Sequence, residues 1–346
     1  MSPYLQFFEF REEPFRITPD PAFLFFSKHH REALAHLLYG LTRRCGFIAL
    51  TGEIGSGKTT VLRALFTRLD CDANRIAYIF NPTLTPHEML HVICQEFALD
   101  HQGESRAVLF ERLNRFLLDE NGAGRSVVLV IDEAQNLDIE TLEEIRLLSN
   151  LETDKEKLIQ IILAGQPELG VILNRPELVQ LNQRIPVRFH LEPLDFEDTC
   201  AYIRHRLQLA GRAKSGLFTS PALKKIYDFS GGLPRLINLV CDRAFLVAYT
   251  REAAIIDDEI IHEAVQELKG VFLARPSMGR WLPVICLAAV LSFGIGMLVG
   301  RGSPKWMTER GKENSPAIGH QSPSMAPAAA VPETLPESSS REGGAR

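Results

Sequence analysis

A glycine-rich run in the first quarter of the chain has the residue types and spacing of a phosphate-binding loop. It reads Gly52-Glu53-Ile54-Gly55-Ser56-Gly57-Lys58-Thr59 and is followed by Thr60. Glycines at this spacing let backbone N–H groups close around phosphate oxygens, and the Lys58 ammonium adds a positive charge that serves both binding and catalysis. The Thr59 hydroxyl is a ligand of the kind that Mg²⁺ prefers. We therefore predict that this run binds ATP together with Mg²⁺.

Polar residues that complete such a site follow two other apolar runs. Asp132 and Glu133 come directly after residues 127–131. Asp132 would hold the Mg²⁺ shell, and Glu133 would orient and polarise the attacking water. Gln166 lies just past residues 158–163, beside the expected γ-phosphate, where it would report on hydrolysis. The alternative for Gln166 is an ordinary polar loop residue.

These side chains meet only if a parallel sheet aligns the ends of their strands. Apolar residues 47–50 form a short strand before the loop, and helical spacing begins at Lys58. Strand-like and helix-like runs then alternate, as is typical of a parallel sheet covered on both faces. The predicted strands are 47–50, 76–80, 127–131 and 158–163, and the predicted helices are 58–69, 86–99, 106–118 and 140–148.

The pattern changes to helices alone near residue 195. Residues 191–194 are typical of a connector, and Ser220 and Asp257 are predicted N-caps. Within this predicted lid, Pro234 suits the first turn of a helix, so that Arg235 stands where it can reach from the lid to the nucleotide phosphates. A solvated surface arginine is the alternative. The predicted lid helices are 199–210, 220–229, 233–249 and 258–268.

Composition limits the class of protein. The 346 residues are 45% hydrophobic and 23% charged, with a net charge of −5, so the chain is globular and lacks the basic excess of a dedicated nucleic-acid binder. The six cysteines are scattered without a Cys-x-x-Cys pair, which favours reduced packing residues. The acidic N-terminal stretch is unlike a secretory signal.

Near the C-terminus, residues 281–300 carry no charge and are bracketed by Arg280 and Arg301. A helix of about twenty residues spans roughly 30 Å, the thickness of a bilayer core. We predict one transmembrane helix in the inner membrane. Because ATP is cytosolic, residues 1–280 are expected in the cytoplasm and residues 302–346 in the periplasm. The tail is rich in Ser, Pro and Ala and is predicted to be disordered.

Several ordered motifs resemble the AAA+ ATPases, and specifically the ExeA-type family, general secretion pathway protein A. Besides the phosphate loop, they are Pro14-Phe15, Thr18-Pro19-Asp20-Pro21, His30-Arg31-Glu32-Ala33-Leu34, Ile131-Asp132-Glu133-Ala134-Gln135-Asn136-Leu137, Leu147 to Asp154, Gly165-Gln166-Pro167-Glu168-Leu169, Gln183-Arg184-Ile185 and Gly231 to Asn238. The resemblance runs from about Phe7 to Leu268.

This resemblance implies an ATPase that forms a dimer or ring. It implies that Arg184 acts in trans as the arginine finger, with Arg188 as a rival, and that Arg235 is the lid sensor. Arg146 and Asn150 are weaker candidates for coupling the site to a neighbour. The family also implies a secretion-complex or cell-envelope partner. Its members carry a periplasmic peptidoglycan-binding domain, and the 45 residues from 302 to 346 are too short and polar for one.

The resulting expectation is an α/β P-loop AAA+ parallel sheet flanked by helices, followed by a small helical lid, one transmembrane helix and a disordered tail. The boundaries are an AAA+ domain at 1–192, a lid at 193–270, a linker at 271–280, the membrane helix at 281–300 and the tail at 301–346. The expected function is ATP hydrolysis that drives assembly of a secretion complex.

Two other functions stay open at this point. One is a DNA-transaction ATPase similar to the MuB and TniB transposition proteins. The acidic net charge and the apolar run at 281–300 argue against it. The other is a nucleotide-dependent regulator of exopolysaccharide or protein-sorting export, in which nucleotide occupancy matters and turnover does not.

Overall fold

The computed structural model describes residues 3–16, 23–80, 83–153, 156–211 and 216–273. Within those ranges the strands are β1 (Phe47–Gly52), β2 (Asn74–Ile79), β3 (Ser126–Ile131), β4 (Ile159–Gly165) and β5 (Val187–Leu191). The helices are α1 (Tyr4–Phe7), α2 (Lys28–Thr42), α3 (Lys58–Phe66), α4 (Pro86–Glu96), α5 (Arg106–Gly122), α6 (Ile139–Leu148), α7 (Pro167–Leu173), α8 (Val179–Gln183), α9 (Phe196–Leu209), α10 (Ser220–Ser230), α11 (Pro234–Thr250) and α12 (Asp258–Leu273).

The five strands form one parallel sheet in the order β2-β3-β4-β1-β5. The predicted α/β sheet with flanking helices is confirmed. The order places β4 between β1 and β3, so the loop after β1 and the carboxylates after β3 flank the end of β4. The sequence analysis did not predict β5, because only the two ends of this five-residue edge strand are buried and the polar side chains of Arg188 and His190 interrupt its apolar run.

Successive side chains of each strand point to opposite faces of the sheet, and each face is covered by a layer of helices. On β3, Val127, Leu129 and Ile131 face α4 to α8, whereas Val128 and Val130 face α2 and α3. Burial on both faces accounts for the continuous apolar run that predicts this strand. The two layers hold the ends of β1, β3 and β4 rigidly at one edge.

The helices after β5 have a separate apolar cluster, to which the N-terminal segment contributes. Phe245 on α11 lies at its centre, with ring centroids 4.9 to 5.9 Å from five other aromatic rings. Four of those rings, Tyr4, Phe8, Phe10 and Phe15, precede the sheet in sequence. The start of the chain therefore packs on the helices that follow β5, whereas the sequence analysis predicts that residues 1–192 belong to the sheet domain. The boundary at 192/193 stays a prediction, since residues 1–275 cluster as one unit.

Some helices begin or end at other residues than the sequence predicts. Helix α10 is capped by Thr219, whose side chain accepts from the Ala222 N–H, and not by the predicted Ser220. Helix α4 ends at Glu96, three residues before the predicted end, because Ala98 is left-handed at φ 56°. Asp257 accepts from the Ile260 N–H, as expected of an N-cap. The five described cysteines are free thiols.

No helix in the described part of the chain is long and apolar enough to cross a bilayer. The predicted membrane helix at 281–300 and the predicted tail at 301–346 lie outside the described residues. The predicted linker at 271–280 lies outside them from residue 274 onward, and its first three residues continue α12.

Candidate nucleotide site

The glycine-rich loop connects β1 to the N-terminus of α3, as the sequence predicts. Gly55 and Gly57 have φ values of 79° and 106°, a conformation that favours glycine. A Cβ on Gly57 would lie 2.4 Å from His30 Nε2, and one on Gly55 would lie 2.5 Å from Arg235 Cβ. The loop is therefore held closely between α2 and α11, and Arg235 is brought to the loop from the helical region.

Lys58 is a nearly buried cation at the start of α3. Its Nζ donates to the carbonyl oxygens of Gly52 at 2.7 Å and Glu53 at 3.1 Å. Burial lowers the pKa of the ammonium below its ordinary value, and nearby carboxylates, Glu133 first, oppose that shift. Both hydrogen-bond acceptors are neutral, so an anion at this point would gain a charge-assisted contact.

Asp132 is fully buried and accepts hydrogen bonds from two hydroxyl groups and one backbone N–H. Its Oδ2 accepts from Thr59 Oγ1 at 3.1 Å and from the Tyr78 hydroxyl at 2.8 Å, while its Oδ1 accepts from the Glu133 N–H at 2.9 Å. Burial and the charge of Asp132 raise the pKa of Tyr78, which keeps the hydroxyl a donor. A carboxylate beside a threonine hydroxyl fits a hard cation such as Mg²⁺. Tyr78 was not foreseen as a member of this site.

Glu133 has a strained backbone conformation, and two amides bind its side chain. Its φ of 54° is left-handed, which costs a non-glycine residue about 1–3 kcal/mol. Its Oε2 accepts from Gln135 Nε2 at 2.7 Å and from Gln166 Nε2 at 3.2 Å. Gln135 Oε1 in turn accepts from the Gln166 N–H at 2.9 Å. This network joins the end of β3 to the end of β4 and brings Gln166 to Glu133, the carboxylate predicted to activate the attacking water.

His30 is a site residue whose place the sequence did not reveal, although it stands in a quoted motif. It is 3% exposed, and its Nε2 lies 3.1 Å from the Ser56 carbonyl oxygen. Because a carbonyl only accepts, Nε2 carries the proton, and Nδ1 accepts from the Ser27 hydroxyl at 2.6 Å. Burial lowers the pKa of His30 to about 4, so the ring is neutral at physiological pH.

A cavity of about 430 Å³ opens beside the loop. Gly57, Thr60 and Ala64 line one side, and Tyr202, Arg206 and Pro234 from the helices after β5 line the other. Its largely apolar wall and its volume suit a planar base with its sugar. The Ser56 hydroxyl, buried in the adjoining loop, has no hydrogen-bond partner among the described residues.

The two candidate arginine fingers lie apart from this cluster within one chain. Arg184 donates to Ser149 Oγ at 3.0 Å and to Asn150 Oδ1, and Arg188 donates to the Asn182 carbonyl at 2.7 Å. Arg146 pairs with Glu143. The structure thus brings together the loop, Asp132, Glu133, Gln166 and Arg235, but it does not bring Arg184 or Arg188 to them.

Known proteins resemble both the sequence and the fold. The sequence profile described as an AAA domain matches residues 41–173. The chain is similar to general secretion pathway protein A of Aeromonas hydrophila, with 48% identity over 269 residues. That match covers 78% of this chain and 49% of the relative, so this chain spans about half of the relative's length. The resemblance predicted from the motifs is confirmed.

Solved structures that share the fold include the following two proteins. The ORC2 protein of Aeropyrum pernix has a TM-score of 0.55 at 18% identity, covering 75% of this chain and 72% of that one. Cdc6p of Pyrobaculum aerophilum has a TM-score of 0.56 at 20% identity, covering 75% of each chain. At such identities the likeness is one of fold alone.

Proposed function

The chain is a relative of general secretion pathway protein A built on an AAA domain, and from that premise we propose that it hydrolyses ATP to remodel a secretion or export complex at the inner membrane. One observation carries the hydrolytic part of the proposal. Lys58 and Thr59 lie at the same edge of the sheet as Asp132 and Glu133, although more than seventy positions separate the two pairs in sequence. This grouping of a cation, a hydroxyl and two carboxylates suits phosphoryl transfer to water.

Each side chain has a distinct task in this proposal. The loop N–H groups and Lys58 bind the β- and γ-phosphates, and Thr59 with Asp132 would hold Mg²⁺, which neutralises phosphate charge when bound. Glu133 accepts the proton of the attacking water as the water oxygen bonds to the γ-phosphorus, while the bond from that phosphorus to the β,γ-bridging oxygen breaks and ADP leaves. The amides of Gln135 and Gln166 hold one carboxylate oxygen of Glu133 and fix its direction.

The nucleotide base is proposed to occupy the cavity between the loop and the helices after β5. Because Pro234 lines this cavity and Arg235 packs on Gly55, a nucleotide there touches both the sheet and α11. The angle between the sheet and the helical lid would then follow the nucleotide state, with Arg235 as the sensor. A rearrangement of this kind is what an ATPase passes to its client.

A second copy of the chain is proposed to complete the catalytic site. Arg184 donates to two neutral side chains, Ser149 and Asn150, and the nearby carboxylate of Glu152 pairs with Lys157. In a dimer or ring it would face the γ-phosphate of a neighbour, where an arginine finger is worth about 10³-fold or more in rate. Arg188, bound to Asn182, is the rival candidate.

Three variants test the hydrolytic mechanism. Lys58→Ala should lose tight ATP binding, whereas Glu133→Gln should bind ATP and stop hydrolysis. Glu140→Gln, an exposed glutamate at the start of α6, is the matched control and should keep the parental rate. Phosphate release and equilibrium binding of a fluorescent ATP analogue provide the two measurements. Parental rates in both site variants would refute the assignment, and an unaffected rate in Glu133→Gln alone would favour the regulatory function.

A mixing experiment tests the finger. Arg184→Ala should bind nucleotide without hydrolysing it, and addition of Lys58→Ala protein should restore turnover, because each variant supplies what the other lacks. Arg188→Ala, treated in the same way, separates the two candidates. Failure of every mixture to recover activity would argue against a site shared between subunits.

The membrane and the client are proposed from the 48% identity to general secretion pathway protein A and from the uncharged run at 281–300. Residues 1–280 are proposed to face the cytoplasm, and 302–346 the periplasm. Carbonate extraction of membranes tests the anchor, and crosslinked pulldown from membranes tests for a secretion component. Full release into the soluble fraction would refute the anchor. The fold likeness to ORC2 and Cdc6p carries no argument for DNA, and the net charge of −5 opposes it.

A further inference from the structure

Three histidines cluster at α4, on a part of the molecule that the nucleotide site does not use. His87 and His91 stand one helical turn apart, joined by a hydrogen bond of 3.1 Å between their Nε2 atoms, and their rings are perpendicular at 85°. His101, in the segment after the helix, has its ring centroid 6.0 Å from that of His91. We infer that His87 and His91 chelate Zn²⁺ or a similar divalent transition-metal ion and that His101 completes the site.

The spacing of the two nitrogens supports a chelate. Two Zn–N bonds of about 2.0–2.1 Å at a tetrahedral angle put their nitrogens about 3.3–3.4 Å apart, within a few tenths of an ångström of the observed separation. Residues four apart on a helix face the same side, so the two imidazoles need no backbone movement to share one ion. The Nε2 that carries the proton of their hydrogen bond becomes a ligand when its ring takes the Nδ1–H tautomer. Imidazole nitrogen is a ligand that favours Zn²⁺, Ni²⁺ and Cu²⁺ over Mg²⁺.

His101 is held in the tautomer that a ligand requires. Its Nδ1 lies 2.9 Å from the Leu99 carbonyl oxygen and therefore donates to it, which leaves Nε2 with an open lone pair. Metal-bound histidines characteristically donate their other ring N–H to such a carbonyl.

The backbone explains why His101 lies near the helix. Ala98 is left-handed and the Leu99 N–H bonds back to the Cys94 carbonyl at 2.8 Å, so the chain reverses along α4. Three imidazoles around one ion have ring centroids about 5 Å apart, so His101 must come closer to His91 than the present 6.0 Å to bind. Without that movement, the described ranges contain no group of three histidine, cysteine or carboxylate side chains placed to hold a metal ion. The ion would thus fasten the N-terminal half of α4 to the segment before α5.

The test is zinc binding by the full-length chain, purified in detergent without a polyhistidine tag. Millimolar Mg²⁺ in the buffer occupies carboxylate sites without competing for imidazole. Isothermal titration should show one Zn²⁺ per chain. His87→Ala and His91→Ala should each weaken binding at least about tenfold, and His101→Ala should weaken it measurably. His262→Ala, an exposed histidine on α12, is the matched control and should bind as the parent does.

Two further readings keep the result unambiguous. Co²⁺ in place of Zn²⁺ should give the intense visible absorption of a four-coordinate site, which His101→Ala should alter. Unchanged circular dichroism melts of the metal-free variants show that they are folded, and His87→Gln serves if His87→Ala is not. Superimposable titrations of the parent and the His87/His91 double variant would overturn the proposal, as would no uptake at micromolar Zn²⁺. A Zn²⁺ affinity of His101→Ala equal to that of the parent would show that His101 is not a ligand.

Discussion

The neutrality of buried His30 leads to a stability difference that depends on pH. The folded protein keeps this ring unprotonated down to about pH 4, whereas the unfolded chain takes up a proton below the ordinary pKa of 6.5. Stability from this group is therefore fully present above pH 6.5 and is lost as the pH falls toward 4. The whole gap corresponds to about 3 kcal/mol, and about 2 kcal/mol of it is already lost near pH 5.

His30→Gln isolates this contribution. Glutamine can still donate to the Ser56 carbonyl but does not titrate, so the variant should cost about 1 kcal/mol near neutral pH, the value of an imperfect hydrogen bond. On acidification to about pH 5, the wild type should lose about 2 kcal/mol relative to the variant, which would reverse their order. All other ionisable groups are common to both proteins and cancel in the comparison.

Urea unfolding of the full-length chain, followed by circular dichroism near pH 7.5 and near pH 5, measures this difference. His36→Gln, an exposed histidine on the same helix, is the control and should run parallel to the wild type at both pH values. A wild-type-to-variant difference that is equal at the two pH values would refute the reasoning. It would mean that His30 is protonated alike in the folded and unfolded chains.

Three more changes have defined outcomes. Gly57→Ala should destabilise the protein by more than about 1–2 kcal/mol and weaken ATP binding, because the added Cβ would lie 2.4 Å from His30 Nε2. Gly103→Ala is the control: Gly103 also has a positive φ, but a Cβ there would contact nothing, so ATP binding should be unchanged in the same assay. Tyr78→Phe should raise the Mg²⁺ concentration that gives half-maximal hydrolysis about tenfold, as measured by Mg²⁺ titration, because Asp132 loses the hydroxyl that donates to it at 2.8 Å. Phe245→Ala should lower the free energy of unfolding by about 3–5 kcal/mol in urea, because it empties the centre of the aromatic cluster; a loss under 1 kcal/mol would contradict that packing.

The sequence by itself determined the features that depend on neighbouring residues. The phosphate loop lies between β1 and α3, and Asp132 follows β3, because apolar runs and helix starts are set by local periodicity and backbone preference. Helix ends were less accurate, as at Ser220 and beyond Glu96, since a cap depends on one hydrogen bond. The role assigned to each site residue stays a prediction.

Only the tertiary structure decided which distant residues meet. Tyr78 touches Asp132 because β2 pairs with β3, and Gln166 reaches Glu133 because β4 lies beside β3. His30 reaches the loop because α2 packs on α3 over the sheet. None of these contacts leaves a local pattern, since side chains far apart in sequence are brought together by the burial of apolar faces, which has no direction along the chain. The strand order determined the site's neighbours.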